Sequence, residues 1–207
     1  MTVAQRERAA LVESMRAAGP DAPTLCEGWT TRDLAAHLVV RERRLDAAPG
    51  ILVPQLAGYT ERVQRQVTES TDWDELVDQI AAGPPLYSPF KLLDALVNVA
   101  EMFIHNEDVR RAQPDWKPRE LDGATVSALS RGIAAMARMT MGKSPARVTL
   151  TTPQGKTLAT VGSGPEVAVT GEPGELLLFA AGREPAQVTF SGDDAAVAAL
   201  RAARRGL

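Results

Sequence analysis

The hydrophobic period of this chain changes once, at Gly142-Lys143-Ser144-Pro145, and that change divides what it can fold into. Before it, apolar residues recur at helical spacing; after it, they alternate. In residues 4–18, Ala9, Leu11, Val12 and Met15 share one helix face, and Gly19-Pro20 stops the run. Thr30 and Asp33 resemble a capping box with aspartate in the glutamate position, opening a second helix to about residue 48 with Leu34, Leu38 and Leu45 as its buried stripe. Pro49, Gly50 and Pro54 break the pattern, and 55–70 and 72–82 read as shorter helices in a long crossover. Ser88-Pro89 supplies an N-cap with proline at the first helical position, predicting a long helix to about residue 112. Another, over 118–141, carries Leu129, Ile133, Met136 and Met139 at helical spacing. Residues 1–142 thus hold the inventory of a four-helix bundle.

Beyond the change of period, Val148, Leu150 and Thr152, then Leu158 and Thr160, then Val167 and Val169 alternate as strands, with Pro153-Gln154-Gly155 as a hairpin turn between the first two. A helix over 174–181 ending at Gly182, a fourth strand over 187–190 and a helix over 193–204 complete the order β-β-β-α-β-α. The fold class expected is α+β, with an N-terminal bundle over 1–142 and a small α+β domain over 145–207. About 60 residues make a marginal domain alone, so the second is expected to lean on the first.

Net charge is −3, from 23 basic and 26 acidic residues interspersed along the chain, which leaves no electrostatic footprint for nucleic acid. The longest apolar run, Leu176-Leu177-Leu178-Phe179-Ala180-Ala181, is too short to span a bilayer, and the charged, amphipathic start is unlike a signal peptide. A cytoplasmic location is expected, with no membrane partner. The single cysteine, Cys26, excludes an internal disulfide and a cysteine-based zinc finger, and reads as a small buried or half-buried hydrophobe. The 33 alanines, and 19 arginines against 4 lysines, carry the bias of a GC-rich genome.

Only two histidines occur, and both fall in helical stretches. His105 closes Glu101-Met102-Phe103-Ile104-His105, and residues four apart on a helix stand one above the other, so Glu101 and His105 can put a carboxylate and an imidazole on one ion. A helix carrying His37 alongside would complete a His₂Glu set, the ligand complement of several catalytic zinc sites and of the non-haem iron facial triad. Asn98, Glu101, His105 and Asp108 follow steps of three, four and three, one polar stripe; Asp33, His37, Arg41 and Arg44 make a comparable line. Facing each other, the two would build a metal pocket. Facing solvent, they would be ordinary helix surface.

The run Glu27-Gly28-Trp29-Thr30-Thr31-Arg32-Asp33-Leu34-Ala35-Ala36-His37-Leu38, with the later Glu101-Met102-Phe103-Ile104-His105-Asn106-Glu107-Asp108-Val109-Arg110-Arg111, resembles the DinB-like metal-binding superfamily and, within it, the mycothiol-dependent maleylpyruvate isomerase group of actinobacteria. The segment from Gly171 to Arg183 resembles that group's small C-terminal domain. The resemblance implies a DinB-like four-helix bundle in which His37, Glu101 and His105 ligate a divalent metal, usually zinc, with water or a substrate thiolate in the open positions. It also implies mycothiol as thiol cofactor and a small-molecule substrate. Asp108 matches the family's aspartate one turn beyond the second histidine, where it would take the free imidazole N–H or act as a base; pairing with Arg110 or Arg111 is the competing reading. Arg183, after the glycine that ends the small domain's helix, would reach a substrate carboxylate or stand in water. The functional expectation is a metal- and thiol-dependent transferase, isomerase or detoxifying enzyme acting on small electrophiles. The alternative is a non-catalytic metal-binding or ligand-sensing protein, which a fourth protein ligand would favour.

Overall fold

Two capping boxes open the first two helices of the computed structural model, which describes residues 1–51, 53–88, 97–203 and 205. In α1 (Val3–Ala18) the Thr2 hydroxyl accepts from the Gln5 amide while the Gln5 side chain accepts from the Thr2 amide. In α2 (Thr31–Arg43) Thr30 and Asp33 exchange the same pair of bonds, at 3.3 and 3.0 Å. Each box satisfies two amides that the helix itself cannot pair. α2 ends at Arg43 rather than near residue 48, because the backbone leaves the helical region at Arg44 and Pro49 falls within a short 3-10 turn, Ala48–Ile51. Leu45, expected in the buried stripe, is therefore exposed.

The crossover supplies α3 (Ala57–Ser70) and α4 (Trp73–Ala82), followed by α5 (Val97–Arg110). The expected start of α5 at Pro89 lies outside the described residues. Leu11 and Met15 of α1, Leu34 and Leu38 of α2, Leu76 and Ile80 of α4, and Met102 and Val109 of α5 form one buried cluster, so four helices share an apolar core. α3 packs on α2, where Val63 joins Val40 and Ala47. Inside this bundle Arg8 bonds both carboxylate oxygens of Glu42 and the Ile80 carbonyl, tying α1, α2 and α4 together. Removing one partner of so buried a pair costs about 3–5 kcal/mol.

By its contacts the chain divides into units Met1–Arg119 and Glu120–Leu207. The second begins with α6 (Gly123–Met141), which opens where the Asp122 carboxylate accepts from the Thr125 amide at 2.7 Å. α6 packs against β2 (Thr157–Val161) and α7 (Pro173–Ala180). With β1 (Arg147–Thr151), β3 (Glu166–Thr170) and β4 (Thr189–Gly192) the sheet runs β2-β1-β3-β4, its central pair parallel and both outer pairs antiparallel. The hairpin between β1 and β2 turns through Gly155 at φ 82°, a left-handed conformation that costs glycine nothing. Val148, Leu150, Val167 and Val169 are buried, as is every residue of α7, which is apolar but for Glu175, whose carboxylate accepts from the Gln187 amide at 2.7 Å. α8 (Asp194–Ala202) closes the order β-β-β-α-β-α. The protein is thus α+β, a helical bundle followed by a unit with a small mixed sheet. Among the described residues no helix is long and apolar enough to cross a membrane.

Candidate metal centre

α2 and α5 turn their polar lines toward each other inside the first unit. The Arg41 guanidinium of α2 donates to Asn98 Oδ1 at 3.1 Å and lies 3.3 Å from Glu101 Oε1, both on α5. One turn away, His37 Nε2 stands 4.0 Å from the same Glu101 oxygen, and the His37 and His105 rings meet edge to face at 5.7 Å. The outer members of the α2 line take no part in this: Asp33 caps its own helix and Arg44 pairs with Asp46. Asn98 and Asp108 are fully buried, and His37 and His105 retain 9% exposure each, so the stripes are not solvated helix surface. The Glu101 side chain, 25% exposed, leaves the cluster open to solvent on one side.

Histidine Nε2 atoms and a carboxylate oxygen are the donor set of a borderline divalent ion. Bonds of about 2.0–2.1 Å at tetrahedral angles put neighbouring donor atoms about 3.3 Å apart. Glu101 Oε1 and His105 Nε2 are already at 3.3 Å, and His37 Nε2, 4.0 Å from the same Glu101 oxygen, stands just beyond that spacing. The three ligand atoms lie within 4.8 Å of one another. Arg41 shares the Glu101 oxygen, but a carboxylate oxygen has a second lone pair for a cation. Among the described residues the cluster numbers three, the protein-ligand count of catalytic rather than closed zinc sites. The residues fit the ion.

The two imidazoles are tuned in opposite directions. Burial, then the charge of His105, lowers the His37 pKa to about 4, against the pull of Glu101 and a hydrogen bond that His37 donates to the side chain of Gln64 of α3, so His37 offers a lone pair at neutral pH. Burial pushes His105 down as well, but hydrogen bonds to Asp108, Cys26 and Glu101 outweigh it and raise His105 well above the ordinary histidine value. For Glu101, burial favours the neutral acid, yet the hydrogen bond to His105 and the charges of His105, Arg41 and His37 hold its carboxyl below the usual range.

Asp108 Oδ2 lies 3.0 Å from His105 Nδ1, on the ring edge opposite the cluster. Of the two roles expected for Asp108, orientation of the imidazole fits this geometry, since the bond occupies Nδ1 and turns Nε2 toward Glu101. The arginines weighed as its partners bond Glu107 instead: Arg110 at 2.8 Å and Arg111 at 2.6 Å, joined by Arg119 at 2.8 Å. Three further neighbours complete the surroundings of the two histidines. Cys26 donates to Asp108 Oδ2 at 3.2 Å, the Trp29 ring packs 5.1 Å from the His37 ring, and Gln64 bonds His37. Trp29 stands within the run from Glu27 to Leu38; Cys26 directly precedes that run but meets Asp108 only across the fold, and Gln64 shares no helical spacing with His37. Arg183 lies in the second unit, where its guanidinium donates to the Ala181 carbonyl at 2.7 Å and lines a cavity of about 210 Å³ with Glu184, Phe190, Arg201 and Arg205.

Residues 2–170 match the family model described as the mycothiol maleylpyruvate isomerase N-terminal domain. Among solved structures, a mutant of the mycothiol-dependent maleylpyruvate isomerase superposes with a TM-score of 0.52 at 16% identity, covering 91% of this chain and 90% of that one. A second structure of that enzyme gives 0.48 at 14% identity over the same shares. At such identity the likeness is one of fold. No curated protein matches the chain. With the family model spanning most of its length, the chain belongs to the mycothiol maleylpyruvate isomerase N-terminal domain family.

Proposed function

We propose that this protein is a divalent-metal- and thiol-dependent enzyme, a transferase, isomerase or detoxifying enzyme acting on small electrophiles. The observation that carries the reading is the convergence of His37 Nε2, Glu101 Oε1 and His105 Nε2 from two helices on one partly open point. Zinc is the ion proposed, His₂Glu being one of its catalytic ligand sets, and mycothiol, named for the enzyme whose solved structure shares the fold, is the thiol proposed. A bound divalent ion with an open position lowers the pKa of a thiol attached to it, supplying thiolate at neutral pH.

The chain's own residues prepare that chemistry. His37 is kept neutral by burial, while Asp108 turns His105 so that Nε2 faces the cluster. His105 and then Arg41 hold Glu101 ionised, Arg41 lies against its carboxylate at 3.3 Å, and the Trp29 ring packs against His37. The quarter exposure of Glu101 is the entry for thiol and substrate. Asp108 and Arg183 are assigned to the reaction: Asp108 by orienting a ligand, Arg183 by pairing with a substrate carboxylate.

Protein purified without a histidine tag should carry one zinc or comparable ion per chain by elemental analysis. His105→Ala and Glu101→Ala should abolish that stoichiometric metal while keeping the helical circular dichroism signal, because the bundle core is apolar and does not depend on an ion. An unfolded variant would make the ion structural, and a full complement of metal in either would remove the site.

Zinc affinity should rise with pH. Because His105 is held above its ordinary value, its imidazolium must release a proton to bind, whereas His37, at about 4, is already neutral. Isothermal titration should show affinity climbing by about tenfold per pH unit below the His105 pKa and levelling above it. Asp108→Asn, which removes the first of the hydrogen bonds that raise His105, should move the levelling to lower pH. A flat profile would contradict the His105 assignment.

A carboxylate-bearing thiol should bind the metal-loaded protein more weakly after Arg183→Ala, by about tenfold for the loss of a charge-assisted bond. Equal affinities would leave Arg183 without the role assigned to it.

A further inference from the structure

The loop between α1 and α2 is built as a rigid carrier for Cys26. The Thr24 hydroxyl accepts from the Cys26 amide at 3.2 Å and donates to the Trp29 carbonyl at 2.9 Å, while the Trp29 amide returns to the Cys26 carbonyl at 2.9 Å. Gly28, at φ 76°, makes the left-handed step that brings Trp29 back over Cys26. Pro23 and Thr30 close the loop as an antiparallel bridge, and the Leu25 amide donates to the Asp108 carbonyl at 3.0 Å, fastening it to α5. The thiol so placed donates to Asp108 Oδ2 at 3.2 Å, and that same oxygen receives His105 Nδ1 at 3.0 Å.

The two edges of the His105 ring therefore have separate company. Nε2 faces Glu101 and His37; Nδ1 faces Asp108 and Cys26. The lone-pair directions of the two ring nitrogens diverge, and the carboxylate oxygen that takes the thiol is the one on Nδ1, so that bond lies on the edge away from an ion on Nε2. With two donors on one oxygen of a fully buried carboxylate, Asp108 has one orientation left, and through it His105 has one.

We propose that Cys26 is a positioning residue of the metal centre, its S–H bond locking Asp108 onto His105 Nδ1 so that Nε2 is held as the metal-binding nitrogen. This rests on the metal-centre reading above, but the Cys26–Asp108–His105 relay is a property of the protein itself and is measurable without an ion.

The test uses the full chain as wild type, Cys26→Ala and Cys26→Ser. Zinc affinity should fall about tenfold in Cys26→Ala, the lower end of what an outer partner of a ligand histidine contributes, and Cys26→Ser, which restores a donor, should recover most of the loss. Cobalt(II) in the wild type should give ligand-field bands without a sulfur-to-metal charge-transfer band. Equal zinc affinity in Cys26→Ala, or a charge-transfer band that this variant abolishes, overturns the proposal, the second by making Cys26 a ligand. Imidazole ¹⁵N spectra of the metal-free protein, simplified by the presence of only two histidines, supply the independent reading. A slowly exchanging Nδ1–H of His105 should be present in wild type and Cys26→Ser and be broadened or lost in Cys26→Ala. If that signal is unchanged in Cys26→Ala, the relay does not exist. A wild type that binds no ion yet shows this pattern would refute the metal reading and leave the relay standing.

Discussion

The carboxylate of Glu101 is the point where α2 and α5 are joined by charge rather than by packing. One of its oxygens is approached by Arg41 and His37 from α2 and by His105 from its own helix. A cluster of this kind is costly to bury, and it persists because every member has a partner and because four helices close an apolar core beside it. The consequences run outward from that carboxylate. It faces one edge of His105, Asp108 holds the other edge, and the cysteine loop holds Asp108.

α5 shows how polar residues on one helix divide into two jobs. Besides the stripe that faces α2, it buries Asn106, whose side chain accepts from Ser14 of α1, and Glu107, which gathers Arg110, Arg111 and Arg119, the last also bonded to Glu7. The Glu107 group uses guanidinium forks to neutralise a fully buried carboxylate, an arrangement that binds the segment after α5 to α1 and offers a metal nothing. The Glu101 group has imidazoles in place of a second and third guanidinium and keeps a side open. That difference in donor chemistry, more than burial, separates the candidate site from the structural network one residue over.

Much of this was legible in the sequence, for identifiable reasons. Helix starts set by local side-chain bonds, as at Thr30, were readable because the cap spans four residues. The steps from Asn98 to Asp108 gave one face of α5, and the alternation beyond residue 142 gave the strands. What local spacing could not give was the environment of a central helix: α5 read as amphipathic with one polar face, whereas it is buried on nearly all sides and carries two polar networks, settled by partners far along the chain. Cys26 and Gln64 were missed for the same reason, since the thiol meets Asp108 across 82 positions with no periodic signal between them. The end of α2 was overrun because Leu45 continues the helical stripe, and only the backbone turn at Arg44 ends it. The contacts that place α6 with the sheet and α7 are likewise tertiary; its own stripe, Ala128, Leu129, Ile133 and Ala137, would suit either neighbour.

Anomalous diffraction at the zinc edge, from crystals of the protein supplied with zinc alone, tests the central claim most directly. The account predicts a single strong peak about 2.0–2.2 Å from His37 Nε2, a Glu101 oxygen and His105 Nε2, with His105 Nδ1 still bonded to Asp108. A peak on the other edge of His105, between Cys26 and Asp108, or a full-occupancy zinc elsewhere with this cluster empty, would contradict it.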